Sequence, residues 1–229
     1  MPSVYFTPAT LAFLSELAQN NRREWFEDNK ARYEEHVRIP ALAFIEDMAP
    51  VLNAFAPRFL AIPKKVGGSL MRVHRDTRFG RDKTPYKTNI GIQFRHDAGK
   101  DVHAPGYYLH VEADSFFLGV GIWRPDAQAL GMIRERIVAK PQQWLAARDD
   151  TGFRRHYTLS GESLQNPPRG YAKDHPQLED LKRKDFIAIK TLSRKDVLSP
   201  KLPAAMAAHF AKTTPFMRFL CGALGVGFD

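Results

Sequence analysis

The 229-residue sequence predicts an α+β fold: a single domain with a central antiparallel sheet of four or more strands, flanked by N- and C-terminal helices. Three observations carry this. Apolar residues recur at helical spacing up to about residue 60, every second residue between 69 and 123, and at helical spacing again from 125 onward. Residues 1–229 are thus read as one domain, with 1–60 helical, 69–123 mainly antiparallel sheet, and 125–229 mainly helical with a candidate extra strand near 185–192. Neither an internal repeat nor a linker divides the chain.

Thr7-Pro8 opens the first helix, with threonine as N-cap and proline at the first helical position, and Leu11, Leu14, Leu17 and Ala18 form its apolar stripe. Asn20-Asn21 ends that helix and starts a second, in which Asn21 and Glu24 have capping-box spacing. Trp25, Phe26, Asn29 and Tyr33 continue the helical period. A third helix carries Leu42, Ile45, Met48, Leu52 and Phe55, and Pro50 is expected to kink or shorten it.

The period then changes to two. Ser69 to Arg75 is expected as a strand, with Met71 and Val73 inward and Arg72 and His74 on the other face. Ile90, Ile92 and Phe94 alternate with Gly91, Gln93 and Arg95; Tyr107, Leu109 and Val111 alternate with Tyr108, His110 and Glu112; Phe116, Leu118, Val120 and Ile122 alternate with Phe117, Gly119, Gly121 and Trp123. The last two segments are expected to form a hairpin across Ala113-Asp114-Ser115. A two-residue loop Asp114-Ser115 pairs Glu112 with Phe117, Val111 with Leu118 and His110 with Gly119, and a slip of one residue would destroy the match of faces.

After Pro125, Leu130, Ile133 and Ile137 mark a helix, and Pro141 starts a shorter one with Trp144 and Leu145. Residues 152–171 read as irregular, with Pro167-Pro168 and Gly170 marking a loop. Leu178 and Leu181 suit a short helix, and residues 202–224 one or two helices with a break near Thr214-Pro215.

Composition excludes several classes. Hydrophobic residues are 44% and charged residues 26% of the chain, which is ordinary for a globular protein and not for a disordered or low-complexity one. A single cysteine, Cys221, allows no intrachain disulfide and no cysteine-based zinc site, and fits a reducing compartment. No apolar run approaches the roughly 18 residues of a membrane span, and no basic segment followed by an apolar run opens the chain. A cytoplasmic location with no membrane partner is therefore expected. The sequence names no cofactor and no oligomeric state.

The formal net charge of +9 is concentrated. Between Lys64 and Lys87 stand eight bases (Lys64, Lys65, Arg72, Arg75, Arg78, Arg81, Lys83 and Lys87) against two acids, Asp76 and Asp82. Arginine forks and lysine point charges suit phosphate or carboxylate groups, and Gly80 with Thr84-Pro85 can shape a fixed loop. Two acids are too few to neutralise this segment from within, although acids elsewhere can finish the pairing.

A second constellation is the polar face of the sheet. Alternation places Arg72, His74, Gln93, Arg95, Tyr108, His110 and Glu112 on one side with Gly91, Gly119 and Gly121. Glycines inside strands mark the close approach of a ligand or another backbone, so a trough beside His110 and Tyr108 is expected. His110 and Glu112 are the acid–base candidates, since both groups can exchange protons near neutral pH; the bland alternative has aromatic side chains and a helix filling the trough. None of the eight histidines pairs at metal-ligand spacing, so no metal is expected. Gly-x-Ser-x-Gly, the phosphate-loop motif and the dinucleotide-binding glycine motif are absent, and Cys221 reads as a core residue.

Four stretches together resemble the family called domain of unknown function 2461. They are Asn20-Asn-Arg-Arg-Glu-Trp-Phe26; Arg75-Asp-Thr-Arg-Phe-Gly-Arg-Asp-Lys-Thr-Pro-Tyr-Lys-Thr88; Pro105-Gly-Tyr-Tyr-Leu-His110 with Gly119-Val-Gly-Ile-Trp123; and Pro168-Arg-Gly-Tyr171 with Asp174-His-Pro176. The family usually has a serine where this chain has Gly80 and a third glycine where it has Val120. The resemblance implies a single domain, highlights Arg75, Arg78, Lys83, Tyr86, Lys87, His110 and Trp123, and supplies no reaction.

The leading expectation is a basic, partly aromatic cleft that binds a phosphorylated or other anionic small molecule, with enzymatic activity left open. Arg72, Arg75, Arg78, Lys83, Tyr86 and Lys87 would hold the ligand, Tyr108 and Trp123 would shape the wall, and His110 and Glu112 would handle protons. One alternative is a nucleic-acid-binding module in which Phe79 and Tyr86 stack bases among the cations. Another is a structural basic loop whose charges meet acids such as Glu46, Asp47, Glu179 and Asp180.

Overall fold

The three alternating segments form the centre of the protein. In the computed structural model, which describes residues 4–78, 82–99 and 105–229, β2 (Ile90–His96), β3 (Gly106–Val111) and β4 (Phe116–Ile122) pair antiparallel in chain order. Beside β2 lies the two-residue β1 (Phe59–Leu60). On the other side β4 pairs with β6 (Phe186–Thr191), which in turn pairs with β5 (Thr158–Ser160). The described residues therefore form a six-stranded sheet in the order β1-β2-β3-β4-β6-β5.

Period two decides which face is dry. Ile92, Phe94, Tyr107, Leu109, Val111 and Leu118 are fully buried on one side. Helices α4 (Ile39–Asn53), α10 (Leu202–Ala211) and α11 (Thr214–Ala223) pack there, with the Tyr107 ring 4.5 Å from that of Phe210. His110, Phe117 and Gly119 stand half-buried on the other side. The hairpin keeps the expected faces but not the expected partners. Val111 lies opposite Phe116, Leu109 opposite Leu118 and Tyr108 opposite Gly119. The turn closes through Glu112 N–H donating to Ser115 O at 2.9 Å, so the two-residue loop is Ala113-Asp114, one position earlier than Asp114-Ser115, and the pairing moves by two. A shift of two preserves every face, so the burial pattern cannot detect it; hydrogen bonding in the turn sets it.

The expected strand at 69–75 is not a strand. Its backbone divides its hydrogen bonds between two neighbours. Met71 N–H donates to Gly91 O and Gln93 N–H to Ser69 O, both at 2.9 Å, on the edge of β2 that β1 also uses. Farther on, Arg75 N–H donates to Pro85 O and Lys87 N–H to Val73 O. Only single bridges result, Leu70 with Ile92 and His74 with Tyr86.

The N-terminal helices follow their caps with one exchange. In α1 (Pro8–Gln19) Thr7 caps the first turn reciprocally with Thr10. Helix α2 (Arg23–Asp28) starts one residue later than expected, with Arg22 at the N-cap position and no side-chain cap, because Asn21 is used elsewhere. Its amide donates to Tyr86 O at 2.9 Å and accepts from Tyr86 N–H at 3.0 Å, fastening the chain after the basic loop to the helical layer. The next helical run comprises α3 (Lys30–Tyr33), a π-helical stretch Glu34–Arg38 and α4. Pro50 lies inside α4, which ends within a turn of it at Asn53.

After the sheet come α5 (Ala127–Ala139), capped by Asp126, and α6 (Pro141–Arg148). The stretch read as irregular contains α7 (Thr151–His156) and β5; three strand residues are too few to display a period. A short helix, α8 (Leu178–Leu181), precedes β6, and α9 (Arg194–Val197) follows it. The buried Asp180 carboxylate accepts from the Trp144 indole N–H at 2.7 Å and from Arg148 Nη1 at 2.5 Å.

Where α7 meets α10, the rings of His156 and His209 lie 5.7 Å apart, and Lys212 Nζ sits 2.8 Å from His156 Nε2. Partial burial, followed by the charges of Lys190 and Lys212 and by His156, pushes His209 down from the usual 6.5 to about 4, with Asp196 opposing the shift. At neutral pH this imidazole is therefore uncharged. Between pH 6.5 and 4 the unfolded chain takes up a proton that the folded chain refuses, so stability falls as pH falls through that window. A lower melting temperature at pH 5 than at pH 7 is expected, with a smaller drop in His209→Gln. An equal drop in both proteins would remove His209 from the account.

Candidate functional site

The outer face of the sheet is concave at its middle, and two glycines explain why. Gly106 and Gly119 place no side chain there, leaving a trough of about 430 Å³, within the size range of small-molecule sites. Met71, Phe117, Val120, Ile187 and Ile189 give it apolar walls, with Trp123 at one edge. Lys87, Asn89, Gln93 and Tyr108 supply its polar groups. Gly91 plays a different part: a Cβ there would lie 2.8 Å from the Tyr108 hydroxyl and 3.0 Å from Met71 Sδ, so its missing side chain lets the Tyr108 ring lie across β2.

Trp123 is 51% exposed, an unusual setting for so large an apolar ring. The Arg124 guanidinium lies 4.8 Å from the ring centroid. The turn below it is fixed, because Arg124 adopts a φ of 48° while its N–H donates to the buried carboxylate of Asp185 at 2.7 Å.

The acid–base candidates lie beside the trough and are tied to each other. His110 stacks on Phe117 with ring centroids 4.4 Å apart. Its Nδ1 lies 3.2 Å from the Tyr108 hydroxyl and 3.3 Å from the Asn89 amide nitrogen, and its Nε2 lies 3.5 Å from Glu112 Oε2. The other Glu112 oxygen accepts from Thr88 Oγ1 at 2.9 Å. Two donors facing Nδ1 assign the proton of the neutral ring to Nε2, pointed at Glu112. Burial lowers the pKa of His110 more than Glu112 raises it, favouring that neutral form. Burial also pushes the Tyr108 phenol up to about 12, so it stays protonated.

Three of the eight bases, Arg75, Arg78 and Lys83, are engaged within the segment itself. Arg78 forms a two-pronged pair with Asp76, Nε to Oδ1 at 3.0 Å and Nη2 to Oδ2 at 2.7 Å, and this holds the Asp76 carboxyl well below the usual carboxylate range. Arg75 pairs with Asp82 at 2.6 Å and donates to Thr84 Oγ1 at 3.0 Å. Lys83 donates to Thr77 O at 2.8 Å. Among the distant acids weighed as partners, Asp47 accepts from Tyr5, Glu179 pairs with Lys182, and Asp180 holds Trp144 and Arg148. Phe79, Gly80 and Arg81 lie outside the described residues. Tyr86 is only 2% exposed, stacked on Phe26 at 4.0 Å; its ring belongs to the core and offers no face to a base.

Of the sequence-derived candidates, Lys87, Tyr108 and Trp123 thus meet at the trough. Arg72 and Arg75 act on Lys87 electrostatically, His110 and Glu112 stand behind Tyr108, and Arg78 and Lys83 are engaged within the loop. Met71, expected inward, lines the outer trough instead, because residues 69–75 do not continue as a strand; Asn89, Ile187 and Ile189 were not among the candidates. A readable signal existed for the isoleucines: with Phe186 and Ala188 inward, Ile187 and Ile189 form an apolar pair on the outward face of β6.

The family described as Conserved hypothetical protein (DUF2461) matches residues 9–219. The chain belongs to that family. No curated protein and no solved structure matches it. For this DUF2461 chain, the site is therefore argued from its own geometry. Among the described residues, no group of three histidine, cysteine, aspartate or glutamate side chains is placed to hold a metal ion, and no helix is long and apolar enough to cross a membrane.

Proposed function

We propose that the trough binds a small anionic ligand with an apolar or aromatic body, its charged end directed toward Lys87 and Arg72. The observation that carries this reading is the placement of a half-buried ammonium at a trough with mostly apolar walls. Lys87 makes no ion pair among the described residues, and the nearest charges acting on it are those of Arg72 and Arg75. A ligand carboxylate or phosphate would supply the missing counter-charge, while Trp123, Phe117, Ile187 and Ile189 would cover its body. A reducing, cytoplasmic setting goes with this reading, since Cys221 is a free thiol inside the core.

Calorimetric titration with 3-phenylpropionate and phenyl phosphate tests it. Saturable binding is expected, weakening as salt rises. A hydrogen bond to a charged group contributes about 1.5–3 kcal/mol, and about 1.4 kcal/mol is tenfold in affinity, so Lys87→Met should weaken binding roughly tenfold or more. Arg72→Ala should cost less, because Arg72 is exposed and screened. Absence of saturable binding of either probe at millimolar concentration, or binding indifferent to Lys87→Met, would end this reading.

A further inference from the structure

We propose that Lys87 is a nucleophilic amine, and that the trough takes ligands carrying a carbonyl next to an anionic group, of the 2-oxo acid class, and holds them as a reversible imine. This rests on the trough being a ligand site.

The setting of Lys87 differs from that of the ion-paired lysines of this chain. Lys30, Lys182 and Lys184 each pair with a glutamate at the surface, at 3.1, 3.1 and 3.2 Å. Lys87 has no carboxylate partner among the described residues. Its backbone is fixed by the 2.7 Å hydrogen bond to Val73 O. Its side chain borders both the trough and a small crevice lined by Leu14, Leu17, Val37 and Val73. Ammonium groups are poorly solvated in such surroundings. Burial first, then the Arg72 and Arg75 charges, lower its pKa from the usual lysine value. Each cause enlarges the fraction of uncharged amine, the form with a lone pair to donate, that exchanges with the ammonium. Arg72, whose charge acts on Lys87, suits the carboxylate of a 2-oxo acid, with the adjacent carbonyl carbon toward Nζ.

The chemistry balances without an oxidant or reductant. The Nζ lone pair forms the C–N bond, and the carbonyl oxygen takes up the π electrons and a proton to give a carbinolamine. The C–O bond then breaks, the nitrogen loses its remaining proton, and water leaves. One amine and one carbonyl become one imine and one water, and addition of water reverses the step.

The test is reductive trapping. The wild-type chain is incubated at pH 7 with phenylpyruvate and cyanoborohydride, and the adducts are located by peptide mass mapping. A parallel sample contains excess 3-phenylpropionate, which has the same ring and carboxylate but no carbonyl. Lys87→Arg, checked for folding by circular dichroism and melting temperature, is treated in the same way. A single saturable adduct on Lys87 is expected, suppressed by 3-phenylpropionate and absent from Lys87→Arg. Binding of 3-phenylpropionate with no adduct on Lys87, or with adducts spread evenly over surface lysines, overturns the imine and leaves the anion site standing. An adduct on Lys87 that 3-phenylpropionate does not suppress overturns the assignment of the carbonyl ligand to the trough. Neither binding nor adduct removes the ligand site and this inference with it.

Discussion

Gly121→Ala is expected to lower the melting temperature by on the order of 10 °C. Gly121 has a φ of 108°, a backbone conformation that side chains rarely adopt, and a Cβ built on it would lie 2.0 Å from the Phe186 carbonyl oxygen and 3.1 Å from the Phe216 ring. That oxygen belongs to the paired strand β6, so it cannot yield without opening the sheet. Strained backbone costs about 1–3 kcal/mol and overpacking about 1–3 kcal/mol. Their sum, at roughly 2–4 °C per kcal/mol for a chain of this size, sets the expected drop. A thermal denaturation curve of Gly121→Ala within 2 °C of wild type (roughly 1 kcal/mol by the same conversion) would show that the strand relaxes here. The cause of the loss is the neighbouring backbone of β6.

Gly119→Leu should do the reverse, leaving the fold intact and abolishing ligand binding. Gly119 stands two residues earlier on the same strand, opposite Tyr108. A Cβ there would lie 3.5 Å from Tyr108 Cβ and 3.6 Å from its Cδ1, which is ordinary van der Waals contact. Replacing a strand glycine with a side chain also removes a residue that weakens strands, so stability should hold or rise slightly. The rest of the leucine would extend into the trough that Gly119 leaves open. Affinity for 3-phenylpropionate should fall at least tenfold, a loss of about 1.4 kcal/mol or more, while Gly119→Ala stays near wild type. Unchanged affinity in Gly119→Leu would place the ligand elsewhere.

These two glycines mark how far the sequence can be read. Alternation alone put both on the outer face with His110 and Tyr108, and for Gly119 that is where the side chain is missing. For Gly121 the alternation fails locally: Val120, Gly121 and Ile122 are all buried, a consequence of a backbone angle that no pattern of letters reports. The basic segment shows the same limit. Its charge count called for an anion, but counting does not reveal that Asp76 and Asp82 are placed to take Arg78 and Arg75, leaving Lys87 as the cation that faces the trough.

The sequence by itself determined the class of fold, the three central strands and their buried faces, the N-cap of α1 and the helical C-terminal region with its break near Thr214. It also singled out Lys87, Tyr108 and Trp123, which line the trough. Each of these follows from local periodicity or a local cap, which depends on residues a few positions apart. Only the tertiary structure decided the two-residue offset in the hairpin, the clasp of Asn21 on Tyr86, the burial of the Tyr86 ring, and the meeting of Ile187 and Ile189 with Gly119 and Gly121. The offset is set by hydrogen bonding in the turn, which the burial pattern does not report; the others depend on contacts between segments as many as 70 residues apart. Their physical basis is hydrogen-bond pairing and close packing between distant parts of the chain, which local spacing does not encode.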